Sequence, residues 1–322
     1  MNLKLFTTAV AIVATVIAPL ASADIVTHSG MCDASGAVPV GASSFVVGND
    51  EDNTLRVYNR DQSGEPVSSS ADLSEFLGIK KHKEADIEGA TLIGNRIYWI
   101  TSHGTNGEGE ARPNRHRFFA TNIEDGKLKP VGKPFLGLVK ALEDSAELKD
   151  LLLGEAAQKP TKTLEGLNIE GLTRTPEGQL LIGFRAPFFD KKALLVPLEN
   201  PQAVIEEKAE AKLGKAILLD LGGLGIRSIE YADAQKSYFI IAGSYDGESN
   251  FQLYQWSGNV SDAPKLIKVD FQGLNPEALI VYPEEKTRIQ ILSDDGKVES
   301  NGKKCDELDA KEQSFRSIWL NL

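Results

Sequence analysis

The chain has 322 residues, is 41% hydrophobic and 25% charged, and carries a formal net charge of -11. That length and apolar content bury a real core, in one large domain or two small ones. The acidic balance argues against nucleic acid or an anionic membrane surface as partner, and favours cations.

Residues 1–23 read as a leader rather than as fold. Lys4 follows the start, Leu5 to Leu20 is an uncharged apolar run, and Ala21-Ser22-Ala23 is a small-residue cleavage site. This is the pattern of a secretory signal peptide cleaved before Asp24. Loss of Lys4 takes the net charge from -11 to -12. The apolar run is short for a membrane span, and no later run is long enough. The mature chain, 24–322, is expected as one exported domain, periplasmic or secreted, with no membrane span, and as a monomer.

Five related segments follow in chain order: DASGAVPV from Asp33, DIEGATLI from Asp86, NIEGLTRT from Asn168, SIEYADAQ from Ser228 and NPEALIVY from Asn275. Each begins with a small polar residue and has Glu two positions on, with Ser35 in the first copy. Each is followed by a short turn and a second apolar strand: 44–50, 96–102, 179–185, 237–244 and 288–294. These are rich in Val, Ile, Tyr and Phe, as strands are. Third strands fall at 54–58, 117–120, 193–196, 251–254 and 315–319, and the clearest fourth strands at 215–219 and 265–269.

Repeated antiparallel sheets of about four strands specify an all-β fold, a β-propeller. Copies starting at 33, 86, 168, 228 and 275 are 53, 82, 60 and 47 residues apart, which suits five blades. A sixth blade would have to lie in the widest gap. That gap holds 136–154, whose Leu, Val and Ala spacing is helical, so it reads as a helical insertion. The last blade lacks a fourth strand of its own, and Ile25-Val26-Thr27 is placed to supply it and close the ring.

In a propeller the first strand of each blade lies at the axis, and neighbouring strands are antiparallel. Starts of first strands and ends of second strands therefore meet at one mouth. There the pattern assembles Glu88, Glu170, Glu230 and Glu277, with Asp86 and Asp33 at the strand starts. Four glutamates near one axis need compensation. Three arrangements supply it: a hard cation such as Ca²⁺ on the carboxylates, neutralisation by Arg185 with Arg174 and Arg227 nearby, or backbone N–H bonds from the next blade. Asp50, Asp246 and Asp294 end second strands at the same mouth. The loop 103–117, with Arg112, Arg115 and Arg117, and the insertion 136–154 lie on that face too. Basic residues over an acidic well suit a small anionic ligand, with Arg185, Arg112, Arg115, Arg117, Asp246 and Asp294 as its contacts.

Hydrolase, P-loop, dinucleotide and zinc-protease motifs are absent from the sequence. Of the histidines, His103 is the one placed at the mouth, as a general acid or base. Cys32 and Cys305 map to the same face in blades that meet on closure. A disulfide there would staple the ring, the alternative being two separate thiols.

Cys32-Asp33-Ala34-Ser35-Gly36-Ala37, Asn49-Asp50-Glu51-Asp52-Asn53, Asp86-Ile87-Glu88-Gly89, Ser102-His103-Gly104, Gly183-Phe184-Arg185, Gly225 to Glu230 and Asn275-Pro276-Glu277-Ala278-Leu279 together resemble the bacterial family called domain of unknown function 3616. The resemblance runs over nearly the whole mature chain and implies a fold more than an activity. The Glu-Gly-Leu element is also similar to the esterase-like phytase family, and from that similarity alone comes a phosphoester expectation. Two functions follow. One is a non-catalytic propeller that binds a ligand or a periplasmic protein at its mouth. The other is a hydrolase of phosphoesters or similar anions, with a divalent cation on the glutamates, Arg185 on the anion, and His103 or Asp50 handling protons.

Overall fold

The structure is a computed structural model that describes residues 24–124, 126–300 and 302–322. The expected signal peptide lies outside the described residues. Five four-stranded antiparallel sheets form the five blades of a propeller. Counted outward from the axis, blade 1 is Ala37–Val40, Ser44–Val47, Arg56–Asn59 and Ser68–Ser69. Blade 2 is Ile87–Ile93, Arg96–Thr101, Phe118–Glu124 and Lys127–Phe135. Blade 3 is Asn168–Arg174, Leu180–Ala186, Ala193–Leu198 and Ile217–Leu219. Blade 4 is Gly225–Ala232, Ser237–Gly243, Phe251–Trp256 and Lys265–Ile267.

Blade 5 takes Pro276–Ile280, Arg288–Ser293 and Ser314–Asn321 from the C-terminal end, and its outer strand, Val26–Ser29, from the other end of the chain. The closing strand pairs Val26 with Ser317 and Ser29 with Ser314. Its inward residues Val26 and His28 are buried, in the alternation that a half-buried strand demands. His28 packs among Phe45, Tyr58 and Phe315 at ring distances of 5.2, 5.3 and 4.8 Å. Burial lowers its pKa to about 4, so it closes the ring as a neutral ring. The disulfide Cys32–Cys305 adds a covalent staple across 273 residues of chain.

The hydrophobic core is split into five clusters, one in each space between neighbouring blades. This follows from the strand pattern. Middle strands such as Leu180–Ala186 and Ser237–Gly243 are buried throughout, because both faces of a blade are covered by its neighbours. The segment 136–154 is helical, as its spacing implies, in short pieces: Leu138–Asp144, Lys149–Leu151 and the start of Leu153–Ala156. Leu138, Leu142, Leu148 and Leu153 anchor it to the core between blades 2 and 3. No sixth blade forms among the described residues. No helix among them is long and apolar enough to cross a membrane.

Candidate functional site

Near its start, each inner strand of blades 2 to 5 carries a β-bulge. The pairing passes from Ile87 to Gly89, from Ile169 to Gly171, from Ile226 to Ser228 and from Pro276 to Ala278. The residues skipped are Glu88, Glu170, Arg227 and Glu277. A bulge re-aims the extra side chain out of the ladder, here toward the axis. In blade 1 Gly48 bonds to both Ser35 and Gly36, so Gly36 takes the corresponding place without a side chain. A Cβ there would stand 2.7 Å from the Gly89 carbonyl carbon.

This register corrects the sequence reading of blade 4. Glu230 does not join Glu88, Glu170 and Glu277; Arg227 does. Glu230 lies three residues further along, in the layer of Thr91 and Thr173. It lines a cavity of about 60 Å³ with Leu92, Arg174, Tyr231, Asp233 and Tyr282, toward the opposite mouth. Burial pushes its carboxyl up to about 8, opposed by Arg174 and by the Thr91 hydroxyl, which donates to it at 3.4 Å. Arg174 is likewise on that side, paired with Asp233 and stacked on Tyr231.

Hydroxyl groups brace the inner strands. The backbone N–H of Arg174 donates to Thr91 at 3.2 Å, that of Tyr231 to Thr173 at 3.0 Å, and that of Leu279 to Ser228 at 3.1 Å. Glu88, Glu170 and Glu277 accept no backbone N–H bond from a described residue, so blade-to-blade bracing does not account for them.

Two arginines neutralise part of the cluster. Arg185 Nη1 pairs with Glu170 Oε1 at 2.8 Å, and its Nε donates to the Ser244 carbonyl at 3.0 Å. Arg227 Nε lies 3.1 Å from Glu170 Oε2, and its Nη2 pairs with Glu277 Oε2. Asn168 donates to Glu170 at 2.7 Å. Against burial, which works the other way, Glu170 and Glu277 raise the pKa of the Arg227 guanidinium. Burial raises the Glu277 carboxyl, with Arg227 opposing.

The carboxylates on the other side are less well matched. Ligand atoms of Glu88, Glu170 and Glu277 lie within 4.8 Å of one another, and so do those of Asp50, Asp86 and Glu88. Asp86 takes a positive φ of 64°, accepts the Ser102 hydroxyl, and pairs with Arg115 at 3.2 Å. The side chains of Asp50 and Glu88 make no hydrogen bond or ion pair with any described residue. Asp50 Oδ1 is closed to solvent as well. Burial raises both pKa values well above the carboxylate range; Asp33 and Asp294 add to this at Asp50, and Glu170 and Asp86 at Glu88. Asp33 itself is pushed to about 8 by burial and by the neighbouring Asp294 carboxyl.

The remaining candidates are placed as follows. His103 is fully buried with a positive φ of 54°, holds the Thr101 carbonyl at 2.8 Å and stacks on His116. Burial lowers its pKa to about 3, so it is a neutral ring, and it does not join the carboxylate groups. Arg117 is spent on the carbonyls of Leu77, Pro113 and His116 at 2.7, 2.7 and 2.8 Å, which leaves it no reach to a ligand at the mouth. Arg112 pairs with Glu110 at 3.1 Å on the surface. Arg115 is shared between Glu84 at 3.3 Å and Asp86. Asp246 caps its own loop, accepting from Ser244 and from the Glu248 N–H at 2.6 and 3.1 Å. Asp294 accepts from the Gly296 N–H at 3.0 Å and faces Asp33. The loop after blade 2's second strand meets the segment that follows the helical insertion through Thr105, whose hydroxyl donates to the Lys159 carbonyl at 2.7 Å.

Arg227 was expected as a nearby counter-charge, not as blade 4's own member of the cluster. The signal was present: Ile226-Arg227-Ser228 has the same order of Ile, charged residue and small residue as Ile87-Glu88-Gly89 and Ile169-Glu170-Gly171.

The fold and the site define a five-bladed propeller with an acidic mouth that arginines partly neutralise. The chain belongs to the family described as "Protein of unknown function (DUF3616)", whose model matches residues 132–292. No curated protein matches the sequence. Among solved structures, glutaminyl cyclase from Myxococcus xanthus is similar over 93% of this chain and 95% of its own, at 15% identity and a TM-score of 0.48. The PQQ-bound aldose sugar dehydrogenase of Streptomyces coelicolor is similar over 94% and 100%, at 12% identity and 0.45. The β-propeller domain of Cps50 (Swd1) from Myceliophteria thermophila is similar over 89% and 95%, at 11% identity and 0.39. At such identities no activity transfers to this chain.

Proposed function

We propose that the protein is an exported ligand-binding propeller whose mouth holds a hard divalent cation, Ca²⁺ or a similar ion, between Asp50, Asp86 and Glu88. The observation that carries this reading is the pair Asp50 and Glu88, gathered with Asp86 yet without a counter-charge of their own. Uncompensated carboxylates in a shielded site cost several kcal/mol unless they are protonated or paired. An all-oxygen donor set selects hard cations. Arg115 and Ser102 orient Asp86, as outer partners of a ligand commonly do. When bound, the cation supplies positive charge at the mouth. That charge is what a small anionic ligand would meet, since every guanidinium nitrogen of Arg115 is engaged by Glu84, Asp86 or the Thr105 carbonyl. The disulfide suits an oxidising compartment, in line with export.

Isothermal titration of chelator-treated protein with Ca²⁺, Mg²⁺ and Mn²⁺ tests this. One site is expected, weakened at least about tenfold by Glu88→Gln and unchanged by Glu230→Gln. Absence of binding and of any thermal shift with all three ions overturns it.

A second reading, the cation-dependent hydrolase of phosphoesters or other anions, is favoured by Asp50. Its carboxyl lies beside Asp86 and Glu88 without a hydrogen bond or ion pair of its own, which leaves it free to carry a proton when the ion is held by the other two. A phosphoester panel decides: turnover that requires Ca²⁺ and disappears in Glu88→Gln supports catalysis, and an inert panel removes this reading.

A further inference from the structure

We infer that Arg227 is a tethered counter-cation that occupies the place of a second metal ion and restricts the mouth to one. The inference rests on the cation reading above and concerns how many ions the same mouth admits.

The two carboxylate groups share Glu88, which would make it the bridge of a two-ion centre. In one group, Asp50 and Glu88 lack partners and Asp86 has Arg115. In the other, Glu170 and Glu277 are joined by the Arg227 guanidinium, through Nε and Nη1 at 3.1 and 3.4 Å to Glu170 and through Nη2 to Glu277. Arg227 is only 7% exposed, so the contact is not a solvated surface pair. Arg185 completes the charge balance from the far side: two carboxylates, two guanidinium groups. An ion bound between Glu170 and Glu277 would have to stand where Arg227 stands. Arginine stays protonated at any working pH, so this charge cannot be titrated away.

Its origin is local. Arg227 arises from the same bulge that delivers glutamate in blades 2, 3 and 5. The strand geometry is unchanged; only the charge presented to the axis is reversed. The residue at this one position therefore sets the ion count of the mouth.

The test is Ca²⁺ stoichiometry of the full mature protein, by titration calorimetry and by metal analysis after dialysis, for wild type, Arg227→Gln and Arg227→Gln/Glu277→Gln. The expected counts are one, two and one, with circular dichroism to establish the fold. Arg227→Gln holding one ion at wild-type affinity overturns the inference and leaves the cation reading standing, as does a wild type that holds two. A wild type without Ca²⁺ beside an Arg227→Gln protein that binds it sinks the cation reading and keeps the role of Arg227. Binding by neither sinks both. Should Arg227→Gln be folded but too weak without metal for calorimetry, the rise in Tm with Ca²⁺ is read instead. A larger rise than in wild type supports the inference, and an equal or smaller one refutes it.

Discussion

Glu230→Gln is the change that most directly tests the register of blade 4. The wild-type carboxyl is raised from 4.5 to about 8, chiefly by burial. Between those values the folded protein holds a proton that the unfolded chain has released. Stability from this group is therefore full below about 4.5 and is lost as pH rises through about 8. At about 1.36 kcal/mol per pH unit, the loss between pH 5 and pH 9 is about 4 kcal/mol at most. Glutamine keeps the shape and can still meet the Thr91 hydroxyl, but it does not ionise. Guanidinium unfolding of both proteins in chelator at pH 5, 7 and 9 isolates the term, because the other buried acids titrate alike in each. The two proteins are expected to have similar stability at pH 5, and Glu230→Gln to be the more stable at pH 9 by about 2–4 kcal/mol. Parallel stability curves would refute the burial argument. Loss of Ca²⁺ binding in Glu230→Gln would refute the placement of this residue away from the cation site.

Two further changes probe the frame. Replacing Cys32 and Cys305 by Ser opens a loop of 273 residues, for which the chain-entropy model gives about 5.6 kcal/mol; the closing strand Val26–Ser29 remains and measured losses run below that model, so a folded protein weakened by about 3–5 kcal/mol is expected in denaturant titration. A loss under about 1 kcal/mol would show that the staple constrains little. Thr173→Val removes the acceptor of the Tyr231 N–H and leaves that donor buried, which costs about 1–3 kcal/mol. The melting temperature should fall while the Ca²⁺ count stays the same, and an unchanged Tm would deny the hydroxyls their bracing role.

Much of the architecture was legible in the chain. The five copies, the second and third strands, the helical nature of 136–154 and the borrowed closing strand all follow from apolar periodicity and turn spacing, which local sequence encodes. The disulfide followed from topology, since both cysteines map to one face of adjoining blades. Arg185 beside Glu170 was foreseeable because the end of a second strand must lie next to the start of the first.

The composition of the cluster was less legible. In blade 4 both Ile226-Arg227-Ser228 and Ser228-Ile229-Glu230 fit the repeat, and matching the glutamate chose the wrong one. A bulge is a property of pairing, and only the alignment of Gly225–Ala232 against Ser237–Gly243 shows which residue is squeezed out toward the axis. For the same reason Arg117 looked like a ligand contact until its guanidinium was seen bound to three carbonyls, and His103 looked like a general acid or base at the mouth until the fold buried it. By itself the chain determined the propeller fold, strand order, closure and the face on which acids gather, because these depend on residue type and spacing; five blades rather than six was decided by the packing of 136–154 as helix. Which charges meet at the axis, and which of them stay unpaired, was decided by tertiary packing, because a bulge or a buried contact shifts a side chain by whole residues without altering the pattern that precedes it.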